Sequence, residues 1–398
     1  MHDQPETIVA GHICLDIIPE LHSTAQFIPG YTLEAGPALF STGGPVANTG
    51  LALHKLGVST RLMGKVGDDL FGHAICSLLA AHDPSLTTGM IVSSDAATSY
   101  TIILSSPDVD RMFIHAPGCN ATFGADDIDY AALTHTRLLH FGYPPLMERL
   151  YRNTGAELVT LFQRAKATGI TTSLDMTMPD PHGPSGQIDW PSILALVLPY
   201  VDIFLPSVEE LLLMLDRAAF DRLARKTSAT SMIDCVTPAL MSALSQHLLD
   251  MGTKIVGLKA GYRGLYLRTA EALQLKDMGR ATPEHIAHWA DREVWAPCYA
   301  TDIVGTTGTG DATIAGFLMG LLRGMTLEET LSAACAVGAC AVEATDSISG
   351  IQGWQETAVR IAAGWQRLPL FFDTPEWCWD NQHEIWSKQK ENEGTTNG

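Results

Sequence analysis

The 398-residue chain contains no run of about eighteen uninterrupted apolar residues, so no membrane-spanning helix is expected. Its first apolar stretch, within MHDQPETIVAGHICLDII, is not preceded by a basic region, and reads as a first β-strand rather than a secretory leader. The 8 cysteines are scattered without a C-x-x-C pair, and in a chain of this length they read as reduced thiols in a cytoplasmic protein. The 14 histidines include no H-E-x-x-H, so each is expected to be an isolated surface or core residue. Positive charge is scarce: 25 Lys and Arg stand against 44 Asp and Glu, for a net charge of -19. With no basic stripe, nucleic acid is an unfavourable partner, although a small anion can still be held locally by backbone N–H groups.

What is present is ample apolar material, 46% of residues, enough for one large α/β domain with an appendage or for two domains. β-rich runs alternate with helical patterns. Strands are expected at 7–13, 59–67, ITTSLD, DIFLPS and TKIVGLKAG; helices at 45–57, 68–82, ELVTLFQRAKATG, VEELLLML and PALMSALSQHLLDMG. This rhythm predicts an α/β fold with a mostly parallel sheet and helices on both faces. Residues 20–42 and 98–116 break it with short alternating runs, expected to form a small β-sheet that acts as a lid; surface hairpins without a function are the alternative. Beyond Ile361 the chain reads as irregular, carries Trp365, Trp377, Trp379 and Trp386, and ends in a polar KQKENEGTTNG expected to be disordered.

The segment richest in chemistry is DIVGTTGTGDATIAGFLMGLLRG, residues 302–324. Gly305, Gly308 and Gly310 precede a long apolar helical pattern, an arrangement that lets backbone N–H groups converge on an anion at a helix N-terminus. It is not a Walker A loop: Asp311 stands where that motif needs Lys, and a carboxylate there repels phosphate. It is not a dinucleotide fingerprint either, because Thr313 holds the last Gly position and the segment lies late in the chain. Asp311 makes sense as a base for phosphoryl transfer, which needs a proton acceptor beside donors that hold negative charge. The other reading is that Asp311 merely caps the helix.

These residues resemble the ribokinase-like (PfkB) carbohydrate kinase family, whose signature runs Asp-Thr-x-Gly-Ala-Gly-Asp-x-Phe against Gly305-Thr306-Thr307-Gly308-Thr309-Gly310-Asp311-Ala312-Thr313 here. The resemblance makes Asp311 the base and Gly308, Thr309 and Gly310 the anion hole. A second match, STGGPVANTGLALHKLG, gives Gly43, Gly44 and Asn48 as substrate-binding residues: paired glycines allow close approach to a small polyol, and an Asn side chain both donates and accepts. Asp16 matches the carboxylate that meets substrate hydroxyls, and GKVGDDLFG fits the next segment. LPSVEEL resembles the motif that orders magnesium, with Ser207 in its Asn position and Glu210 in its Glu position. VGLKAGYRGLYL places Lys259, Gly261 and Gly264 on the nucleotide side, and APGCNATF, around Asn120, resembles the segment where the lid rejoins the main domain. Each has a plainer reading, as a buried amide, a loop or helix-surface acid, or a solvated lysine. The resemblance covers residues 7–355.

What it implies is a ribokinase-like kinase domain over residues 1–365, its lid drawn from 20–42 and 98–116, with a Trp-containing extension over 366–398. It implies ATP and Mg²⁺, and phosphorylation of a hydroxyl, a primary alcohol first, of a sugar or sugar-like molecule. A nucleoside kinase and a non-catalytic sugar- or nucleotide-binding relative are the alternatives. Gly305 replaces an Asp that helps form a monovalent-cation site in many members, which leaves potassium (K⁺) activation in doubt. Ser207 for Asn weakens a metal-ordering contact, and Thr309 for Ala adds a hydroxyl at the anion hole. HFGYPP lacks the acid that ribokinases carry, so ribose is not assumed. No Arg or Lys lies within GGPVAN, which favours an unphosphorylated substrate. A homodimer through the lid edge is expected to be possible in this family context.

Overall fold

The computed structural model describes residues 4–21, 29–106, 109–226 and 231–389. Parts of the expected lid (22–28 and 107–108) and of the polar tail (390–398) therefore lie outside the described residues.

Sixteen strands are defined, in chain order β1 Thr7–Gly11, β2 Cys14–Pro19, β3 Ala38–Gly43, β4 Thr60–Met63, β5 Lys65–Gly67, β6 Ile91–Ser93, β7 Tyr100–Ser106, β8 Val109–Ala116, β9 Leu138–Gly142, β10 Thr171–Asp175, β11 Ile203–Phe204, β12 Ile255–Lys259, β13 Leu265–Thr269, β14 Glu293–Ala296, β15 Trp377–Asp380 and β16 Ile385–Lys388. Ten of them form one sheet in the order β15-β16-β14-β13-β12-β11-β10-β9-β1-β4. From β4 to β12 every pairing is parallel, and from β12 to β15 every pairing is antiparallel.

Both faces of this sheet are covered, and the central strands β1, β9, β10 and β11 are buried along their whole length, as parallel strands between two helical layers must be. Val9 belongs to one core, with the helices Pro45–Lys55, Thr309–Leu322 and Leu327–Ala341. Its neighbours Ile8 and Ala10 point the other way, into a second core with Glu148–Ala167, Trp190–Val197 and Pro238–Asp250. The helix over 148–167 is two helical pieces joined by left-handed residues Asn153, Thr154 and Gly155.

A second sheet, β3-β2-β7-β8, stands apart. It differs from the expected lid in its membership. Cys14–Pro19 forms one of its central strands, and among the described residues of 20–42 the contribution to this sheet's strands is that of β3, Ala38–Gly43, which begins within that range. The strand expected over 7–13 ends at Gly11, whose φ of 123° turns the chain out of the main sheet. The run 59–67, read as one strand, divides at Gly64 into β4 in the main sheet and β5 in a separate pair with β6.

The chain beyond Ile361 is also more regular than its composition suggested. The β15–β16 hairpin extends the antiparallel edge of the main sheet. Trp377 is 4% exposed and Ile385 1% exposed, and Phe372 lies 5.4 Å from Trp377 and 5.0 Å from Trp386 between ring centroids. Apolar burial of the tryptophans, rather than a periodic pattern, places this hairpin.

Candidate active site

The parallel strands β9, β10 and β12 end at Gly142, Asp175 and Lys259, and the chain there directs polar side chains into one cluster. The crevice beyond the carboxyl ends of parallel strands is where open α/β sheets bind ligands.

Asp311 lies at the centre, in the first turn of the helix Thr309–Leu322, and is 1% exposed. Its Oδ2 accepts hydrogen bonds from Asn48 Nδ2 at 3.0 Å and from the Tyr143 hydroxyl at 2.9 Å; its Oδ1 accepts one from Thr49 Oγ1 at 3.1 Å. Ser347 Oγ donates to Asn48 Oδ1 at 2.8 Å, which fixes the amide with its NH₂ toward the carboxylate. Asp311 is therefore not the cap of its helix. The N-cap is Gly308, in the left-handed region at φ 69°, with no side-chain cap bond. A Cβ on Gly308 would lie 2.3 Å from the Ser347 Cβ, so glycine alone fits both the conformation and the space. Burial pushes the Asp311 carboxyl above its ordinary range, while the Asn48, Tyr143 and Thr49 hydrogen bonds and the Lys259 charge oppose that rise.

Lys259 lies beside this turn. A Cβ on Gly310 would sit 3.5 Å from its Nζ. Lys259 Nζ also pairs with Asp175 Oδ1 at 2.7 Å, and Asp175 is fully buried. Burial pulls this ammonium down, but the charges of Asp175, Glu210 and Asp311 outweigh it and hold the group above its usual value. Lysine, the first-turn amides and the positive end of the helix dipole are groups of the kind that can hold an anion. Gly261 and Gly264 occupy the turn between β12 and β13; a Cβ on Gly264 would meet the Ala296 carbonyl oxygen. They follow Lys259 but lie outside the hydrogen-bonded cluster.

Glu210 and Ser207 form a capping box on the helix Val208–Leu215, with Ser207 N–H donating to Glu210 Oε2 at 2.8 Å. Burial raises the Glu210 carboxyl, opposed by Lys259. Asp175 Oδ2 is buried with no hydrogen-bond partner among the described residues. Among those residues, no three His, Cys, Asp or Glu side chains are arranged to hold a metal ion by themselves. Carboxylates in this number fit Mg²⁺, which keeps several waters and binds through one or two carboxylates plus phosphate oxygens.

The lid supplies Asp16, on β2 and 6% exposed. Burial pushes its carboxyl up to about 6, the Cys14 and Thr101 hydrogen bonds draw it down, and the Asp311 charge adds to the rise. Gly43 packs directly on Asp16: a Cβ there would lie 2.3 Å from Asp16 Oδ2. Gly44, at φ 84°, packs on His12, where a Cβ would lie 2.6 Å from both Nδ1 and the carbonyl oxygen. The paired glycines thus make room for two side chains of the site. Asn120 has a structural task, its amide pairing with both the N–H and the carbonyl of Ile13 at the root of the lid.

Thr49, Tyr143, Asp175 and Ser347 were not singled out by sequence reasoning. Asp175 had a legible signal, since it ends the strand expected at ITTSLD, whereas no strand was expected ahead of Tyr143. Ser347 had none. Two cavities of about 410 and 420 Å³ lie away from this cluster, one bordered by Arg149, Arg152 and Glu157, the other by Trp354, Met325 and Arg367. The buried charges, rather than these hollows, mark the chemistry.

Several known kinases are similar to this chain. A sugar kinase of undefined specificity from Archaeoglobus fulgidus is 25% identical over 279 residues, 70% of this chain and 89% of that protein. Fructokinase-2 of Zea mays is 26% identical over 189 residues, 47% of this chain and 53% of its own length, so the chain matches about half of that relative. Among solved structures, Arabidopsis thaliana ribokinase complexed with ribose and ATP superposes with a TM-score of 0.67 at 19% identity, covering 89% of this chain and 98% of that one. A nucleoside kinase of Methanocaldococcus jannaschii gives a TM-score of 0.63 at 18% identity, covering 90% and 99%. The fold is that of the ribokinases. The family model for the pfkB family carbohydrate kinases matches residues 5–353, and the chain belongs to that family.

Proposed function

We propose that this protein transfers the γ-phosphoryl group of ATP to a hydroxyl, first of all a primary alcohol, of an unphosphorylated sugar or sugar-like substrate, with Asp311 as general base. The observation that carries the proposal is a buried carboxylate held by three side-chain donors at the N-terminus of a helix, beside a lysine. Burial raises the basicity of Asp311 toward the working pH, which suits proton abstraction.

In this reading Asp16, Gly43, Gly44 and Asn48 border the acceptor. Asn48 and Thr49 also keep the base aimed. Gly308, Thr309 and Gly310 direct amides at the transferring group as charge develops on it. Lys259 adds positive charge at the same turn, and Gly261 and Gly264 continue on the nucleotide side. Glu210, with Asp175, would hold Mg²⁺ through water, and the ion would offset phosphate charge. ATP-bound and ATP–Mg²⁺-bound structures of similar fold, from Arabidopsis thaliana and E. coli, support these two requirements. Gly305 leaves K⁺ dependence to be measured.

The eight free cysteines fit a reducing cytoplasm. No described helix is long and apolar enough to cross a membrane. We also place a homodimer contact on the lid, where Phe40, Met112, Phe113 and Ile114 are exposed.

The test is ATP consumption with Mg²⁺ against hexoses, pentoses, sugar acids and nucleosides, with and without K⁺, and identification of the phosphorylated product. Turnover on a neutral sugar supports the proposal. Turnover only on a nucleoside replaces it with the nucleoside kinase reading. Binding without turnover on any of them replaces it with a non-catalytic relative.

A further inference from the structure

The acceptor side of the site contains two histidines that the mechanism above does not use. His12 is 2% exposed, and neither of its ring nitrogens has a hydrogen-bond partner among the described residues. His115, on β8, has its Nδ1 3.0 Å from Thr101 Oγ1, while its Nε2 is buried and equally unpartnered. The two rings lie 5.1 Å apart between centroids, tilted by 46°, and the His12 ring lies 6.2 Å from that of Tyr143, whose hydroxyl reaches Asp311. Gly44 leaves space for the His12 ring, and the next glycine in the pair, Gly43, leaves space for Asp16. A buried polar group left without a hydrogen bond is costly. Three such nitrogens, on two adjoining rings of which one lies near Tyr143, are best explained by a ligand that satisfies them.

The charges nearby say which ligand. Asp16 and Asp311 are close enough for the charge of one to raise the other, and Lys259 is committed to Asp175. A phosphate or carboxylate on the acceptor would meet two carboxylates at short range and no free cation among the residues named here. Burial pulls both imidazoles below their ordinary range, and the mutual proximity of the rings lowers His12 further, so both are neutral near pH 7. A neutral imidazole offers one donor and one acceptor, as a hydroxyl does.

We propose that His12 and His115 are specificity-determining residues that bind hydroxyls of a neutral polyhydroxylated acceptor and, with Asp16, exclude anionic sugars. The inference rests on the reading of this cluster as the acceptor site of a sugar kinase. It adds the lid strand β8 to the residues that select the substrate.

The experiment is calorimetric titration of the full chain with D-fructose, D-ribose, D-glucose and myo-inositol, and with D-gluconate and D-fructose 6-phosphate as anionic counterparts. His12→Phe and His115→Phe keep an aromatic ring without hydrogen bonds; His12→Asn restores a donor and an acceptor. MgATP affinity, measured on each variant, reports an intact fold. The expected result is binding of a neutral polyol by the wild type, weakened at least about tenfold in each Phe variant, partly regained in His12→Asn, with MgATP affinity unchanged. Unaltered polyol affinity in both Phe variants overturns the inference. So does preferential binding of gluconate or fructose 6-phosphate, or no binding of any neutral polyol by the wild type. Turnover followed in the same samples separates the two claims. Polyol binding that depends on both histidines without turnover sinks the kinase reading alone; turnover with a sugar KM indifferent to the Phe variants sinks this inference alone.

Discussion

A buried carboxylate is costly, and the site spends that cost on two of them within reach of each other. Asp311 is stabilised by three neutral donors, and each has a separable effect. The Tyr143 hydrogen bond lowers the Asp311 pKa, so Tyr143→Phe should raise it. The acid limb of the kcat–pH profile should move to higher pH in that variant, with kcat down about tenfold, the lower end of what a positioned group contributes to proton transfer. A limb that stays in place would remove Tyr143 from the support of the base. Asp16 makes a different prediction. Its folded pKa is raised from 3.8 to about 6, so the folded state binds more protons than the unfolded chain in that window. Stability is therefore lost as pH climbs from about 4 through 6, and the penalty, about 3 kcal/mol for a shift of roughly two units, is complete above it. Asp16→Asn should be more stable than wild type at pH 7 by up to that amount, equal to it near pH 4, and deficient in acceptor binding. Urea denaturation at the two pH values checks the sign; a less stable variant at pH 7 would contradict it. Asp311 was legible in the sequence from its Gly-rich turn, and Asn48 and Asp16 through the family resemblance. Tyr143 and Ser347 were not: their roles come from a left-handed turn after β9 and a contact across 299 residues, which no local pattern records.

Among the elements, the helices Pro45–Lys55, Leu70–His82 and Pro238–Asp250 appeared where expected, because they carry their own start and stop signals. The boundaries that moved are those set by single backbone turns, at Gly11 and Gly64, where a continuous apolar run passes from one sheet to another. The β15–β16 hairpin was hidden for another reason. Its four-residue strands are too short to show a period, and its partner, β14, is more than eighty residues away. Its aromatic contacts imply that the hairpin is part of the main core. Trp377→Ala, which removes a buried ring packed on Phe372 and Tyr266, should destabilise the protein by about 3–5 kcal/mol. Chemical denaturation measures this, and a loss below about 1 kcal/mol would make the hairpin a peripheral attachment.

For the molecule as a whole, the two sheets divide the labour. The main sheet brings Asp175, Lys259, Tyr143 and the helix of Asp311 to one edge, and the small sheet brings Asp16 and His115 to the same place. The exposed apolar side chains of the small sheet predict a dimer in sedimentation experiments, weakened by Phe113→Lys; a monomer at all concentrations would contradict that contact. With a net charge of -19, the lysine and helix terminus beside Asp311 are a local exception in a negative field, and in the proposed reading they would act on phosphate only at short range.

The central claim is that this assembly exists to let Asp311 take a proton. The most direct measurement is single-turnover phosphoryl transfer from ATP to the best acceptor by wild type and Asp311→Asn, with MgATP and acceptor affinities measured on both. The account predicts a fall of several orders of magnitude in the transfer rate with both affinities near those of the wild type. Transfer at a rate within tenfold of wild type would contradict it.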